Sequence, residues 1–387
     1  VSDTTTQTIT DGFRARFDRE ADGLWFGPGR VNLIGEHTDY NDGFVFPFAI
    51  NRRAVVALAV RDDRMLRVAS SFTDEIVQIS LDDLTPEAVS GWSAYPLGVA
   101  WALGQKGADL SAATGFDAYI ASDVPIGAGL SSSAAIECAT AVALNEVWGL
   151  GFEKEVLVRV GQLAENRVVG APTGILDQSA SLLGQTDAAV FLDCRSFESE
   201  VVPLGFDDAG LELLVIDTRV SHAHATGGYA DRRASCEKGA ALMGAGSLRD
   251  LTVADLPRAV DTLDDETFRR VRHILTENQR VLDTVQLLRE QGPAAIGDLL
   301  DASHASMRDD FEISVAELDL AVETARAAGA LGARMTGGGF GGSAIALTPH
   351  ALIPAVQQAV TEAFAAAGFT APDLFVVRAA AGAGRLA

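Results

Sequence analysis

Hydrophobic positions change their period several times along this chain of 387 residues, and each change marks an element. Alternating or continuous apolar runs of strand type occupy residues 54–61, 66–70, 76–81 and 115–121, which predicts a strand-rich first region. Helical spacing follows at 132–148 and 153–168. In the first of these, Ala134, Ala135, Cys138, Ala141, Val142 and Asn145 share one face and the opposite face is also largely apolar, so this helix is expected to be buried. Beyond it, strand-type runs at 188–193, 211–218 and 343–348 lie among long helical patterns such as 267–291 and 315–328. The alternation places a domain boundary near residue 185 and divides the chain into 1–185 and 186–387. No internal repeat is present, and no apolar run reaches membrane-spanning length.

Composition narrows the picture. A hydrophobic content of 48% over this length supports a large core. Lys and Arg number 30 against 53 Asp and Glu, a formal charge of −23 that disfavours nucleic acid and anionic membrane as partners. A nucleotide site on such a chain must rely on backbone amides, magnesium and a few cations. The cysteines, Cys138, Cys194 and Cys236, are isolated and form no CxxC pair, so a reducing cytoplasm is expected. A polar start without an apolar h-region points the same way. His222 and His224 are spaced to share a strand face, but without a third ligand they read as structural rather than metal-binding.

Chemistry concentrates in three segments. Residues 29–41 read GRVNLIGEHTDYN, in which Arg30, Glu36, His37, Asp39 and Tyr40 crowd beside the apolar triplet Val31, Leu33 and Ile34. A turn after a strand releases such side chains toward one small polar ligand, as a polyhydroxylated molecule requires. Residues 125–135 read PIGAGLSSSAA. Here Gly127 and Gly129 permit positive φ, and the serines open an apolar helix whose free amides attract anions. This is a phosphate cradle without the lysine of a P-loop. Residues 337–342, GGGFGG, satisfy GxGxxG, yet a strand-like SAIALT follows where a dinucleotide fold needs a helix.

Together the three segments resemble the galactokinases, founding members of the superfamily that includes homoserine, mevalonate and phosphomevalonate kinases. The first is similar to the signature specific to galactokinases, and the two glycine loops are shared across the superfamily. The resemblance runs from about residue 25 to the C-terminus. It implies a two-domain α+β fold with the active site in the cleft between domains. It also implies MgATP-dependent phosphorylation of the anomeric hydroxyl of galactose to galactose 1-phosphate, by a chain expected to be monomeric.

Residue by residue, GILDQ matches the segment carrying the catalytic aspartate, which makes Asp177 the base, with Arg30 as its cationic partner. Glu165 in QLAENR and Ser133, or Ser132 in its place, match the magnesium ligands. Pro125, Gly127, Ala128, Gly129, Leu130, Ser131, Ser132 and Ser133 match the triphosphate loop, joined by Gly338 and Gly339. Trp92 and Tyr95 match aromatic positions lining the adenine pocket. Glu36, His37, Asp39 and Tyr229, assisted by the Gly174 backbone, match the sugar contacts. Thr173 and Leu176 replace a commoner cysteine and methionine, flanking the chemistry without supplying it. Gly227 and Gly228 replace a Ser-Glu pair, which predicts a mobile loop before Tyr229. An N-acetylgalactosamine kinase is the rival enzyme. A non-catalytic sugar- and ATP-binding regulator would be expected to have lost the serine loop or the base, and Arg30, Asp177 and residues 131–135 are intact.

Overall fold

The computed structural model describes residues 3–220 and 225–386. Its strands are β1 (Gly23–Asn32), β2 (Phe44–Val45), β3 (Pro47–Val60), β4 (Met65–Ser70), β5 (Thr73–Ser80), β6 (Phe116–Ser122), β7 (Ala188–Asp193), β8 (Ser199–Pro203), β9 (Leu211–Asp217), β10 (Gly332–Thr336), β11 (Ser343–Pro349), β12 (Asp373–Val377) and β13 (Gly384–Arg385). Three sheets result, in the orders β13-β1-β3-β6-β4-β5, β10-β11-β9-β12 and β2-β7-β8. All pairings are antiparallel except β4 with β6. Strands expected from periodicity at 66–70, 76–81, 115–121, 188–193, 211–218 and 343–348 are present within a few residues of those bounds, and the one expected at 54–61 is the second half of a longer strand that begins at Pro47.

β1 and β3 form the spine of the first sheet and are buried for most of their length. The register between them shifts between Pro28 and Arg30. A proline cannot donate to the ladder, and a bulge at that point re-aims the next side chain, here Arg30. The helix Ser132–Val147 packs directly on β1 and β3. Gly27 makes the approach possible, since a Cβ there would lie 2.2 Å from the Ala135 carbonyl oxygen. As its two apolar faces predict, this helix is covered on both sides, by the sheet and by Ala94–Gln105 and Lys154–Ala164. Each fully buried leucine in this layer, such as Leu97 and Leu144, contributes about 1.5–3 kcal/mol.

The second sheet carries Ala316–Ala327 and Gly297–Ser306 on its strands, with the long helix Asp265–Gln291 reaching across to β2. Chain segments cross between the two halves. β7 pairs with β2, the Ala380 amide donates to the Ala49 carbonyl at 2.8 Å, and β13 closes the edge of the first sheet beside β1. Among the described residues no helix is long and apolar enough to cross a membrane.

Candidate active site

Asp177 opens the helix Leu176–Leu183, and Arg30 projects from the bulged end of β1. Arg30 Nε donates to Asp177 Oδ1 at 2.8 Å, and its Nη1 donates to the Gly129 carbonyl of the first glycine loop. The other oxygen, Asp177 Oδ2, accepts from Ser131 Oγ. Ser131 reaches it from a left-handed backbone, φ 56°, at the start of the helix Ser132–Val147. The glycine loop, the arginine and the aspartate are therefore one connected unit.

Two adjoining cavities meet there. One, of about 180 Å³, is lined by Asn32, Glu36, His37, Asp39, Gly174 and Leu176 together with Arg30, Thr173, Asp177, Tyr229 and Gly338. The other, of about 330 Å³, shares those last five and adds Pro125, Gly127, Gly129, Leu130, Ser131, Ser132, Ser133, Glu165 and Gly339. Gly127 and Gly129 adopt φ of 78° and 73°, conformations that free the loop amides to face an anion. Ala128 is buried behind the loop, its carbonyl accepting from Ser343 Oγ at 2.6 Å. The third glycine segment links β10 to β11, and Gly337 lies so close to Gly129 that a Cβ would stand 2.8 Å from the Gly129 oxygen.

In the smaller cavity each polar side chain is fixed from behind. Glu36 accepts from Asn32 Nδ2, from Thr336 Oγ1 at 3.2 Å and from the Gly337 amide at 2.6 Å, and forms an ion pair with Arg334 at 3.2 Å. His37 Nε2 bonds the Gly338 carbonyl at 3.1 Å, so this nitrogen is the donor and Nδ1 accepts from the Tyr40 hydroxyl at 2.7 Å. Burial pushes the His37 imidazole down to about 3, which keeps it neutral. Asp39 sits against Gly174, where a Cβ would lie 1.9 Å from its Oδ2, so only glycine fits. Burial, and then the nearby Asp177 carboxylate, push Asp39 up to about 6. Tyr229 packs on His37 with ring centroids 4.8 Å apart.

Tyr229 lies on the helix Ala225–Leu242, not on the mobile loop that Gly227 and Gly228 predict. The reason is packing: a Cβ at Gly228 would stand 2.5 Å from Phe340 Cζ, so the glycine lets the helix settle on that ring. His222 and His224 lie outside the described residues. Trp92 and Tyr95 line neither cavity. Tyr95 heads the helix Ala94–Gln105 close enough to Glu165 to feel its charge, and Trp92 Nε1 is buried without a hydrogen-bond partner.

Glu165 begins a π-helical turn, Glu165–Val169, at the end of Lys154–Ala164. Such turns recur at functional sites because they re-aim one side chain. Ser133 Oγ donates to Glu165 Oε1 at 3.2 Å, while Oε2 accepts from Thr173 Oγ1 and Gln178 Nε2, each at 2.9 Å. Thr173 thus holds the carboxylate as well as flanking it. No basic side chain lies within ion-pair distance of Glu165 among the described residues, and burial, then Asp177, push it above the usual carboxylate range. A buried carboxylate and a hydroxyl on the rim of a phosphate-sized cavity, with no cation of their own, fit a hard divalent ion.

Four further residues carried no local motif. Glu277 accepts from the Gly35 amide at 3.0 Å, and Asn278 Oδ1 from the Phe44 amide at 2.9 Å. His273 Nε2 donates to the Glu36 carbonyl at 3.2 Å. Arg334 donates to the Asn32 and Leu33 carbonyls, both at 3.0 Å. All four hold the backbone of the segment 32–44 from the other half of the chain. Their only sequence signal is polarity at helix and strand positions that should be apolar.

Residues 11–60 match the galactokinase galactose-binding signature, 94–185 the N-terminal domain of GHMP kinases and 284–366 their C-terminal domain. The chain is 52% identical to the galactokinase of Streptomyces coelicolor over 98% of both chains, and 46% identical to that of Mycobacterium tuberculosis over 92% of this chain and 97% of the other. The fold superposes with a TM-score of 0.93 on the galactose complex of Lactococcus lactis galactokinase, at 32% identity, covering 99% of this chain and 100% of that one. With this identity along nearly its whole length, and with the three glycine-bearing segments gathered around one Arg–Asp pair, the chain belongs to the galactokinase family of the GHMP kinases.

Proposed function

We infer how this chain, an ATP-dependent kinase of the galactokinase family, transfers a phosphoryl group from ATP to the anomeric hydroxyl of galactose, giving galactose 1-phosphate and ADP. The observation that carries the reading is that the two cavities adjoin across shared lining residues, Arg30, Asp177, Thr173, Tyr229 and Gly338. A sugar in the smaller cavity and a triphosphate in the larger one would meet at the Arg30–Asp177 pair.

Asp177 accepts the proton of the anomeric hydroxyl as that oxygen bonds to the γ-phosphorus and the bond to the β-phosphate oxygen breaks. Arg30 sets its guanidinium against the Asp177 carboxylate, and its planar fork would stabilise charge on the phosphoryl group in flight. The loop amides and the helix N-terminus at Ser132 cradle the phosphates. Ser133 and Glu165 would hold magnesium, which when bound neutralises charge on the phosphate oxygens. Glu36, His37, Asp39 and Tyr229 recognise the sugar hydroxyls, and a wrong epimer leaves buried polar groups unpaired. The free, buried cysteines suit a reducing cytoplasm.

The test is ADP release against galactose, glucose, N-acetylgalactosamine, homoserine and mevalonate with MgATP. Turnover should be highest by kcat/KM on galactose. A higher kcat/KM on any other acceptor overturns the substrate assignment.

A further inference from the structure

Behind the carboxylate of Glu165 stands a second one that the transfer chemistry does not use. Glu137 lies in the first half of the helix Ser132–Val147, fully buried among alanines and Cys138. A carboxylate there is costly unless it has a task. Among the described residues its side chain takes part in one hydrogen bond, in which Gln178 Nε2 donates to Glu137 Oε2 at 2.9 Å, and Glu137 Oε1 has no partner. The same Gln178 Nε2 donates to Glu165 Oε2 at 2.9 Å. One amide group thus ties the two carboxylates together. Gly161 keeps the room it needs, since a Cβ there would lie 2.8 Å from Gln178 Cγ.

The consequence falls on Glu165. Its Oε2 is locked by Gln178 and Thr173, which leaves Oε1, the oxygen beside Ser133 Oγ, directed at the phosphate cavity. Gln178 follows Asp177 in sequence, so the same short helix presents the base on one side and steers the metal carboxylate on the other.

We propose that Glu137 is a positioning residue for the divalent ion: by anchoring the Gln178 amide it orients Glu165 so that the ion is taken through Oε1 alone, with Thr173 as the second clamp. Partners one shell behind a metal ligand typically change metal affinity 10- to 100-fold when removed. This inference rests on Ser133 and Glu165 being the metal ligands.

The experiment counts free Mn²⁺ by electron paramagnetic resonance while the ion is titrated into the full chain with ADP, and measures galactose binding by calorimetry on the same samples. Glu137→Leu and Gln178→Leu should each weaken Mn²⁺ binding 10- to 100-fold with galactose affinity unchanged. Glu137→Gln, which still offers an oxygen to Gln178, should stay within about threefold of wild type. Wild-type Mn²⁺ affinity in Glu137→Leu overturns the proposal, whatever Gln178→Leu does. So does equal loss in Glu137→Gln and Glu137→Leu, which would assign the effect to charge. If Glu137→Leu does not fold, Glu137→Ala, which likewise offers Gln178 no acceptor, takes its place. Failure of the underlying reading is separate and visible: Ser133→Ala and Glu165→Ala would then bind Mn²⁺ as wild type does.

Discussion

Asp39 is asked to be charged in a place that resists charge. Pressed against Gly174 and near Asp177, it titrates at about 6 in the fold instead of near 4. The folded state therefore holds this proton more tightly than the unfolded chain, so its contribution is fully present below about pH 4 and is lost as pH rises through 6. Asp39→Asn should accordingly raise the melting temperature relative to wild type at pH 8 more than at pH 4, while the galactose KM rises at least about tenfold from the lost acceptor. Equal melting shifts at the two pH values would show that Asp39 is not the strained group. Gly174→Ala tests the same contact from the other side. Its Cβ must displace Asp39, so galactose KM should rise while the ATP KM holds. For Asp177→Asn, kcat should drop by roughly 10²- to 10⁴-fold with galactose affinity retained in calorimetry, and a near-wild-type kcat would remove it as the base. Asp39 was readable from the crowded polar motif it sits in, and Gly174 and Asp177 only through the resemblance of GILDQ to the family segment. Thr173 was not, because its bond to Glu165 depends on the π turn that brings position 165 around.

Among the elements, β1 shows where reading by period stops. Its residues GLWFGPGRVN carry three glycines and a proline, a composition that argues against a strand, yet it is a strand buried along almost its whole length and it bears the active-site arginine. Tertiary contact decides the matter: Gly27 and Gly29 are small because a helix backbone and the glycine loop press on them. Gly27→Ala should therefore destabilise the protein well beyond the roughly 1 kcal/mol typical of a point substitution, and should lower activity by moving Arg30. Unchanged thermal stability would mean that the helix Ser132–Val147 can retreat without cost. By contrast, β3, β4, β6, β9 and β11 were legible because their Val, Ile, Leu and Ala residues leave alternating or continuous apolar runs of strand type. The helix at Ala225–Leu242 went unread for the same cause as β1. Gly227 and Gly228 signal a loop locally, and Phe340 overrules them.

At the scale of the whole molecule, the charge of −23 faces a substrate that is itself an anion. Association of ATP should then quicken, not slow, as salt screens the repulsion, by roughly two- to threefold between 20 and 200 mM. Stopped-flow association of a fluorescent ATP analogue measures this, and a rate that falls with salt would reveal a local positive funnel outweighing the global charge. The segment 32–44 depends on residues from 273 to 337 for its shape, which is why the sugar site could be named from the sequence but its support could not. β13 extends that dependence to the order of synthesis. The edge of β1 stays open until residue 385 has been made, since Gly384 and Arg385 pair with Phe26 and Trp25 and the Leu386 amide bonds the Leu24 carbonyl at 2.7 Å. A nascent chain carrying the complete sugar signature and the complete serine loop is thus still an unfinished sheet with an exposed edge. A chain interrupted before residue 384 would keep every catalytic residue beside a strand whose edge is unsealed.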